Sequence, residues 1–407
     1  MDKTTLAERE LTADQAERRI HIEFSRLGLT PHTRTLGSKV VAVQASLHSG
    51  DNRHARGSGK GYADQAHLGA LYEALEHYWT DELCTYDVHH ETERYFKDTP
   101  VFADDSLLHR LTCQQNVRIT CRTYVCPPWH DRFSYPLALT SPNGSRLPSS
   151  PGMADYRAVQ RYASNSGTAI GATYNEAMLH AANECIERDA VSLFLLNHFY
   201  YENHPPLRRV ARLTERDELG RLWADAEQEI DGEIVLVDIS TEFMTRTFLA
   251  FTTKPGPHPQ IFGSGSSLDP RHAAWRALTE LVQLQLSAAE PEYRQTLANA
   301  LRNLQPFPRL LRCAQFDPQT LLHRCVQHGI RLPDSAKDLS VENQLHLLTQ
   351  GLRIHGRTLG AAVLQRTELG TTLLNVVIPG LERFFVVSSG NVVIPQARGR
   401  TLERPAP

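Results

Sequence analysis

Glu73-Ala74-Leu75-Glu76-His77 and Glu184-Cys185-Ile186-Glu187-Arg188 share one pattern: two glutamates three residues apart, followed directly by a base. On an α-helix, residues three apart lie on one face with Cβ atoms about 5–6 Å apart, so each stretch aims two carboxylates at one point. Four converging carboxylates repel one another unless a cation sits between them. A hard divalent ion such as Mg2+ takes oxygen ligands and shares them with phosphates. The pattern therefore reads as a metal–nucleotide site built from two helices. Two solvated helix faces carrying ordinary Glu–Arg and Glu–His pairs are the alternative. Apolar neighbours flank both stretches, which argues for burial, and buried carboxylates need a partner to offset desolvation.

Other residues carry weaker signals. Gly57-Ser58-Gly59-Lys60-Gly61 offers backbone amides and one cation to a phosphate, or is a flexible turn; it lacks the Walker A spacing. Glu176 stands where a capping box would need it, three residues after Thr173. Arg188 either faces a phosphate or pairs with Glu184, and Arg276 has the same choice with Glu280. Glu280 and Gln283 put polar groups inside an apolar run. Arg404-Pro405-Ala406-Pro407 reads as a frayed end, or as a stiff tail that fixes its terminal carboxylate. A Gly-x-Ser-x-Gly elbow, a His-Glu-x-x-His pair and a Rossmann fingerprint are all missing. His89-His90 and the other histidines show no metal spacing.

These residues need elements to position them. Residues 2–27 read as helical until Pro31 and Gly37 break the pattern, and Val40 to Leu47 reads as a strand. Helices are expected from about Asp64 to Thr80, Tyr174 to Asn197 and Pro270 to Ser287. Strands are expected at Arg118 to Val125, Glu233 to Ile239 and Arg246 to Thr252. Four more follow at Ala361 to Leu364, Thr372 to Ile378, Phe384 to Val387 and Val392 to Ile394. The Pro-, Ser- and Gly-rich residues 141–157 form a loop. Glycine-rich loops at 57–61, 165–171 and 263–265 enter the three long helices, which implies one compact site built from distant segments. Beyond the two Glu-x-x-Glu helices no repeat is visible.

With 407 residues and a net charge of −3, the chain favours neither polyanion binding nor an acidic surface role. Basic residues do not cluster with aromatics, which argues against nucleic acid. No run approaches the roughly 18 apolar residues of a membrane helix. The first residues lack a secretory pattern, so the expected location is cytoplasmic. The seven cysteines are odd in number and scattered, as expected of reduced thiols rather than a structural metal cluster.

Taken together, the motifs resemble the YcaO superfamily, ATP-dependent enzymes that modify backbone amides of ribosomally made peptides. The matching stretches are Gly57 to Gly61 with Gly69 to Glu76, Asn165 to Gly171 with Glu176-Ala177, and Glu184 to Ala190. Arg276 to Glu280 with Gln283, and Val377 to Glu382, complete the set. The resemblance covers roughly residues 40–407. It implies an α+β fold, a single YcaO-like domain over 37–407 with mixed or antiparallel sheets packed against the long helices; the pattern before it makes residues 1–36 an N-terminal helical segment. It also implies that Glu73, Glu76, Glu184 and Glu187 hold Mg2+ ions bridging the phosphates of ATP. Glu176 would contact the ribose, Arg188 would face the phosphates, and Lys60, Arg276 and Gln283 would lie near the same pocket. This chain departs from the family pattern at His77, where arginine is usual, and at Gly69, Ala172 and Gln285, where serine, asparagine and arginine are common. Such drift is similar to the D-type cyclodehydratase subunit of microcin-like synthetases.

The short proline-containing ending looks like that of azoline-forming members and favours thiazoline and oxazoline over thioamide or amidine products. On that reading a Cys, Ser or Thr side chain attacks the preceding carbonyl. The attack closes the ring, the resulting hemiorthoamide oxygen accepts the γ-phosphate of ATP, and loss of phosphate and a proton then gives the thiazoline or oxazoline. The carboxylate of Pro407 would be the base or proton-positioning group. The resemblance implies three partners: a precursor peptide, a separate E1-like leader-peptide-binding subunit, and a flavin-dependent azoline dehydrogenase. Nothing suggests flavin binding by this chain. A thioamide-forming enzyme of the same superfamily and a non-catalytic Mg-nucleotide-binding scaffold are the rival readings.

Overall fold

Thr12 caps the first helix, α1 (Ala13–Leu27), in a reciprocal box with Gln15, and Gly28 ends it in the left-handed conformation at φ 64°. The computed structural model describes residues 8–50, 54–83, 87–128, 130–141, 151–254, 261–335 and 339–403. Of the helix expected over residues 2–27, residues 2–7 lie outside the described residues, residues 8–12 precede the helix, and α1 covers the rest; Leu29–Leu36 forms strand β1. Pro31 does not prevent this, because β1 is an edge strand paired on one side only.

Three sheets follow. The first has the order β1-β2-β3, with β2 at Val41–Ser49 and β3 at His54–Gly61. A six-stranded sheet joins β4 (His89–Thr92), β5 (Arg118–Cys126), β6 (Asp131–Pro136), β7 (Thr168–Gly171), β13 (Gly360–Arg366) and β14 (Thr372–Val377). Its order is β4-β5-β13-β14-β7, with β6 paired to β5. The third sheet has the order β11-β10-β9-β8-β12. Its strands are β8 (Leu207–Val210), β9 (Ile234–Asp238), β10 (Arg246–Thr252), β11 (Phe262–Ser267) and β12 (Gln327–Ile330). The pairings are antiparallel except β8 with β12. The architecture is therefore α+β, as expected.

The three long helices are α2 (Ala63–Leu83), α3 (Tyr174–Leu195) and α4 (Pro270–Ser287). Each follows the strand at one edge of a different sheet: β3, β7 and β11. This corrects the glycine-rich loops expected at 57–61, 165–171 and 263–265, which contain strands instead. Glycine usually weakens a strand, but here it lets a helix backbone come close. A Cβ at Gly57 or Gly59 would overlap the backbone of α2 at Ala74 and Ala66. A Cβ at Gly263 or Gly265 would overlap α4 at Ala277 and Ala273. Two further expected strands are absent: Phe384–Ser389 is a 3-10 turn, and Val392 to Ile394 has no regular structure. Phe384, Val386 and Val387 of this apolar run are buried and Phe385 half-buried in a turn, which hydropathy alone does not distinguish from a strand. The six described cysteines are free thiols. No helix among the described residues is long and apolar enough to cross a membrane.

Candidate active site

The three helices place their polar pairs at one common position. Ala66, Ala177 and Ala273 lie against the strand glycines Gly59, Gly171 and Gly265. Seven residues after each alanine come Glu73, Glu184 and Glu280; ten residues after come Glu76, Glu187 and Gln283. All six side chains line one cleft of about 390 Å³. Lys60, Arg188 and Arg276 line it as well.

Hydrogen bonds tie each helix to the edge strand of another sheet. Glu76 accepts from the Ile170 amide of β7 at 3.0 Å. Glu187 accepts from the Ser264 hydroxyl of β11 at 2.7 Å. Gln283 donates to the Ser58 carbonyl and hydroxyl of β3 at 2.9 and 2.8 Å. The links run α2 to the six-stranded sheet, α3 to the five-stranded sheet and α4 to the three-stranded sheet, closing a ring around the cleft. Glu184 adds a bond from the Gly167 amide at 3.2 Å.

The electrostatics are those of an anionic centre with a cationic rim. Burial pushes the Glu73, Glu76 and Glu184 carboxyls up, and Glu73 and Glu184 push Glu76 further. Burial also acts to raise Glu280, but Lys60, at 3.0 Å, and Arg188 hold it below its usual range. Arg188 stays charged despite burial because Glu187 and Glu184 stand 3.7 and 3.4 Å away. Arg276 reaches His180 at 2.8 Å and approaches Glu187 at 4.0 Å, so it does not pair with Glu280. Burial, then Arg276, keeps His180 neutral, which leaves its Nδ1 free to accept.

Among the described residues that line the cleft, two buried atoms of opposite character have no hydrogen-bond partner: Glu187 Oε2 and Arg276 Nε. A buried carboxylate oxygen without a donor is costly unless a cation meets it, and a buried guanidinium N–H needs an anion. Four glutamate carboxylates beside lysine and arginine fit a hard divalent ion carrying phosphates.

The other expected site residues are less central. Glu176 is 3% exposed and its carboxylate accepts from the Glu10, Leu11 and Ala172 amides at 2.7, 3.2 and 3.2 Å. The capping box is half formed: Thr173 Oγ1 accepts from the Glu176 amide, but Glu176 does not reach back to Thr173. His77 turns its Nδ1 toward the Arg56 carbonyl, and Gly69 lines the cleft. The Ala172 carbonyl accepts from Arg19, while Gln285 is half-buried outside the cleft lining. Pro407, with the rest of 404–407, lies outside the described residues.

Sequence reasoning missed His180 and Trp275 in the lining, and gave no role of their own to Asn165 and Thr168 of the matching stretch. His180 had a signal: it is one turn before Glu184 on the same face. It also missed the strap formed by residues 8–11. Glu8 accepts from Asn183 at 2.9 Å and from Ser267, and lies 3.5 Å from His272. Burial opposes its charge, but His272 and Arg276 draw the carboxyl down to about 2. Nothing in the local pattern signals that contact.

Comparison with known proteins gives the following. The family model described as YcaO cyclodehydratase, ATP- and Mg2+-binding, matches residues 58–382. The structure of YcaO from Methanopyrus kandleri bound with AMPPCP and Mg2+ is similar at a TM-score of 0.65 and 17% identity, over 96% of this chain and 97% of that one. A heterocyclase in complex with substrate and cofactor gives a TM-score of 0.64 at 20% identity, over 93% of this chain and 54% of that one. The E. coli microcin synthetase McbBCD complex gives 0.55 at 11% identity, over 86% of each chain. At these identities the structural likeness concerns the fold. An uncharacterised protein of Methanothermobacter thermautotrophicus is 28% identical over 233 residues, 54% of this chain. The chain spans 56% of that relative's length.

Proposed function

The chain belongs to the YcaO family, and from that premise we propose that it is an ATP- and Mg2+-dependent cyclodehydratase. Its substrates on this reading are Cys, Ser or Thr residues of a ribosomally made precursor peptide, converted to thiazoline or oxazoline. The observation that carries the reading is the convergence of four glutamates on one cleft, Glu187 buried and Glu73, Glu76 and Glu184 half-buried, with Glu187 Oε2 unbonded among them.

Glu73, Glu76, Glu184 and Glu187 would hold the metal. When bound, MgATP supplies the phosphoryl group that turns a carbonyl-derived oxygen into a leaving group. Lys60, Arg188 and Arg276 orient the phosphates and balance their charge. Gln283, anchored on Ser58, fixes the wall of the cleft beside them. A ribose contact from Glu176 requires residues 10–11 to release its carboxylate. A second hollow of about 440 Å³ shares Glu184, Arg188 and Glu280 with the cleft and is lined by Phe262, Leu297 and Phe385. Its apolar walls suit the peptide, keeping water from the reacting carbonyl.

The chain before the tail is held beside the same helix. Arg398 pairs with Asp189 of α3 at 2.8 Å, and Glu382 accepts from the Gly399 amide at 2.7 Å. This supports a role for residues 404–407, with Pro407 as proton-positioning group. A leader-binding E1-like subunit and a flavin-dependent dehydrogenase complete the proposed assembly.

The test is reconstitution with a precursor peptide, its leader-binding subunit and MgATP, read by mass spectrometry and phosphate release. Loss of one water mass per ring with matching phosphate supports the proposal. Exchange of oxygen for sulfur would instead identify a thioamide-forming enzyme, for which trimming residues 404–407 is harmless. Nucleotide binding without peptide-dependent turnover would identify a scaffold.

A further inference from the structure

The C-terminal end of α3 runs into a π turn, Leu196–Tyr200, and there it meets a cluster unrelated to the glutamate cleft. His198, His204 and Cys325 each offer one ligand atom, and these atoms lie within 4.8 Å of one another. His198 and Cys325 are 5% and 4% exposed. We propose that these three side chains form a second metal site, for Zn2+ or a similar borderline-soft divalent ion, with water as the fourth ligand.

The topology builds this site. Strands β8 and β12 pair in parallel with Leu207 opposite Gln327, and the Leu207 amide donates to the Val326 carbonyl at 2.8 Å. His204 and Cys325 lie just before those two strands, so the start of the ladder brings them side by side. The π turn then supplies His198 from α3. Such turns recur at functional sites because they rotate a side chain out of the helical repeat. Phe194 packs against the His198 ring at 4.4 Å between centroids and fixes its orientation.

Distance and chemistry agree. Zinc–sulfur and zinc–nitrogen bonds of about 2.3 and 2.0 Å at a tetrahedral angle separate sulfur from nitrogen by roughly 3.5 Å. Cys325 Sγ and His198 Nδ1 are 3.4 Å apart. A thiol–imidazole hydrogen bond would account for that pair alone, but it leaves His204 Nδ1 buried without a partner. His204 is also held in a demanding conformation: it and Glu202 adopt φ of 47° and 54°, which side chains disfavour. Glu202 is clamped by Arg312 and Arg324 at 2.9 and 3.0 Å, and the Asn203 amide donates to the Asn197 carbonyl at 2.9 Å. Loading the site through His204 Nδ1 puts the ring proton on Nε2, so Arg324, now 3.3 Å from Nε2, must swing aside while keeping Glu202. Sulfur and nitrogen donors select zinc over Mg2+, whereas the four carboxylates of the cleft do the reverse. The bound ion would staple the end of α3 to the β8–β12 edge. The five residues between His198 and His204, and the long gap to Cys325, hide the cluster from any search for metal spacing.

The experiment uses the full chain without a histidine tag. Zinc content is measured after dialysis and again after zinc loading, and Co2+ is then substituted for the thiolate-to-cobalt charge-transfer band. The expected result is about one equivalent of zinc and a clear band. Both should be lost in Cys325→Ser and retained in Cys113→Ser and in Glu187→Gln. Zinc should raise the melting temperature of the wild type but not of Cys325→Ser. Equal metal-free melting temperatures would show that this variant folds. A His204→Gln chain with at least tenfold weaker zinc affinity would support the ligand set. Absence of the thiolate band in the wild type, or its persistence in Cys325→Ser, would overturn the proposal.

Discussion

Glu187 is the residue on which the cleft's two demands meet, since one oxygen is held by Ser264 and the other faces the cavity unbonded. Replacing it with glutamine keeps the shape and removes the charge. The wild type should gain about 2.7 kcal/mol of stability at MgATP near one hundred times its dissociation constant. Glu187→Gln should lose most of that gain, as a thermal-shift titration would show. Glu76 makes the complementary prediction. Its carboxyl is buried beside Glu73 and Glu184, all three pushed up. Glu76→Gln should therefore stabilise the metal-free chain by an amount on the order of 1 kcal/mol while weakening MgATP binding. Denaturant unfolding with and without MgATP separates the two effects.

At the scale of elements, the glycines of β3 and β11 do structural work that a phosphate loop would not. Gly265→Ala drives a methyl group into the α4 backbone at Ala273 and Ala277 and should destabilise by about 1–3 kcal/mol. Gly329→Ala, where a Cβ meets nothing, should stay within about 0.5 kcal/mol. Equal effects in chemical unfolding would contradict the close-approach account. The elements also show what local pattern could reveal. The spans of α2, α3 and α4 were legible because apolar residues recur at helical spacing over four or more turns. The glycine-bearing strands were not, because the helix that requires glycine is a tertiary neighbour.

For the whole molecule, the raised carboxyls set a pH dependence. Glu73, Glu76 and Glu184 hold protons in the folded chain at pH values where the unfolded chain, with ordinary values near 4.5, has lost them. The folded state therefore binds more protons, and these groups make stability fall as pH rises above 4.5. A divalent ion neutralises the same carboxylates. Mg2+ with nucleotide should thus flatten the decline in melting temperature on the alkaline side and release protons on binding, which calorimetry in two buffers would detect. A decline unchanged by MgATP would place the metal elsewhere.

The sequence by itself determined the α+β class, the three long helices and the pairing of glutamates on one helical face, because those depend on spacing within a single helix. It also carried the family likeness that the match over residues 58–382 bears out. Only the tertiary structure decided which strands sit under those helices, that Glu280 and Gln283 complete a third polar pair, and that Arg276 turns to His180. It alone brought Glu8 across to Asn183, and His204 beside Cys325. The last two contacts join residues more than a hundred positions apart, and Arg276 and His180 are 96 apart. They follow from sheet order and close packing, which no local period encodes.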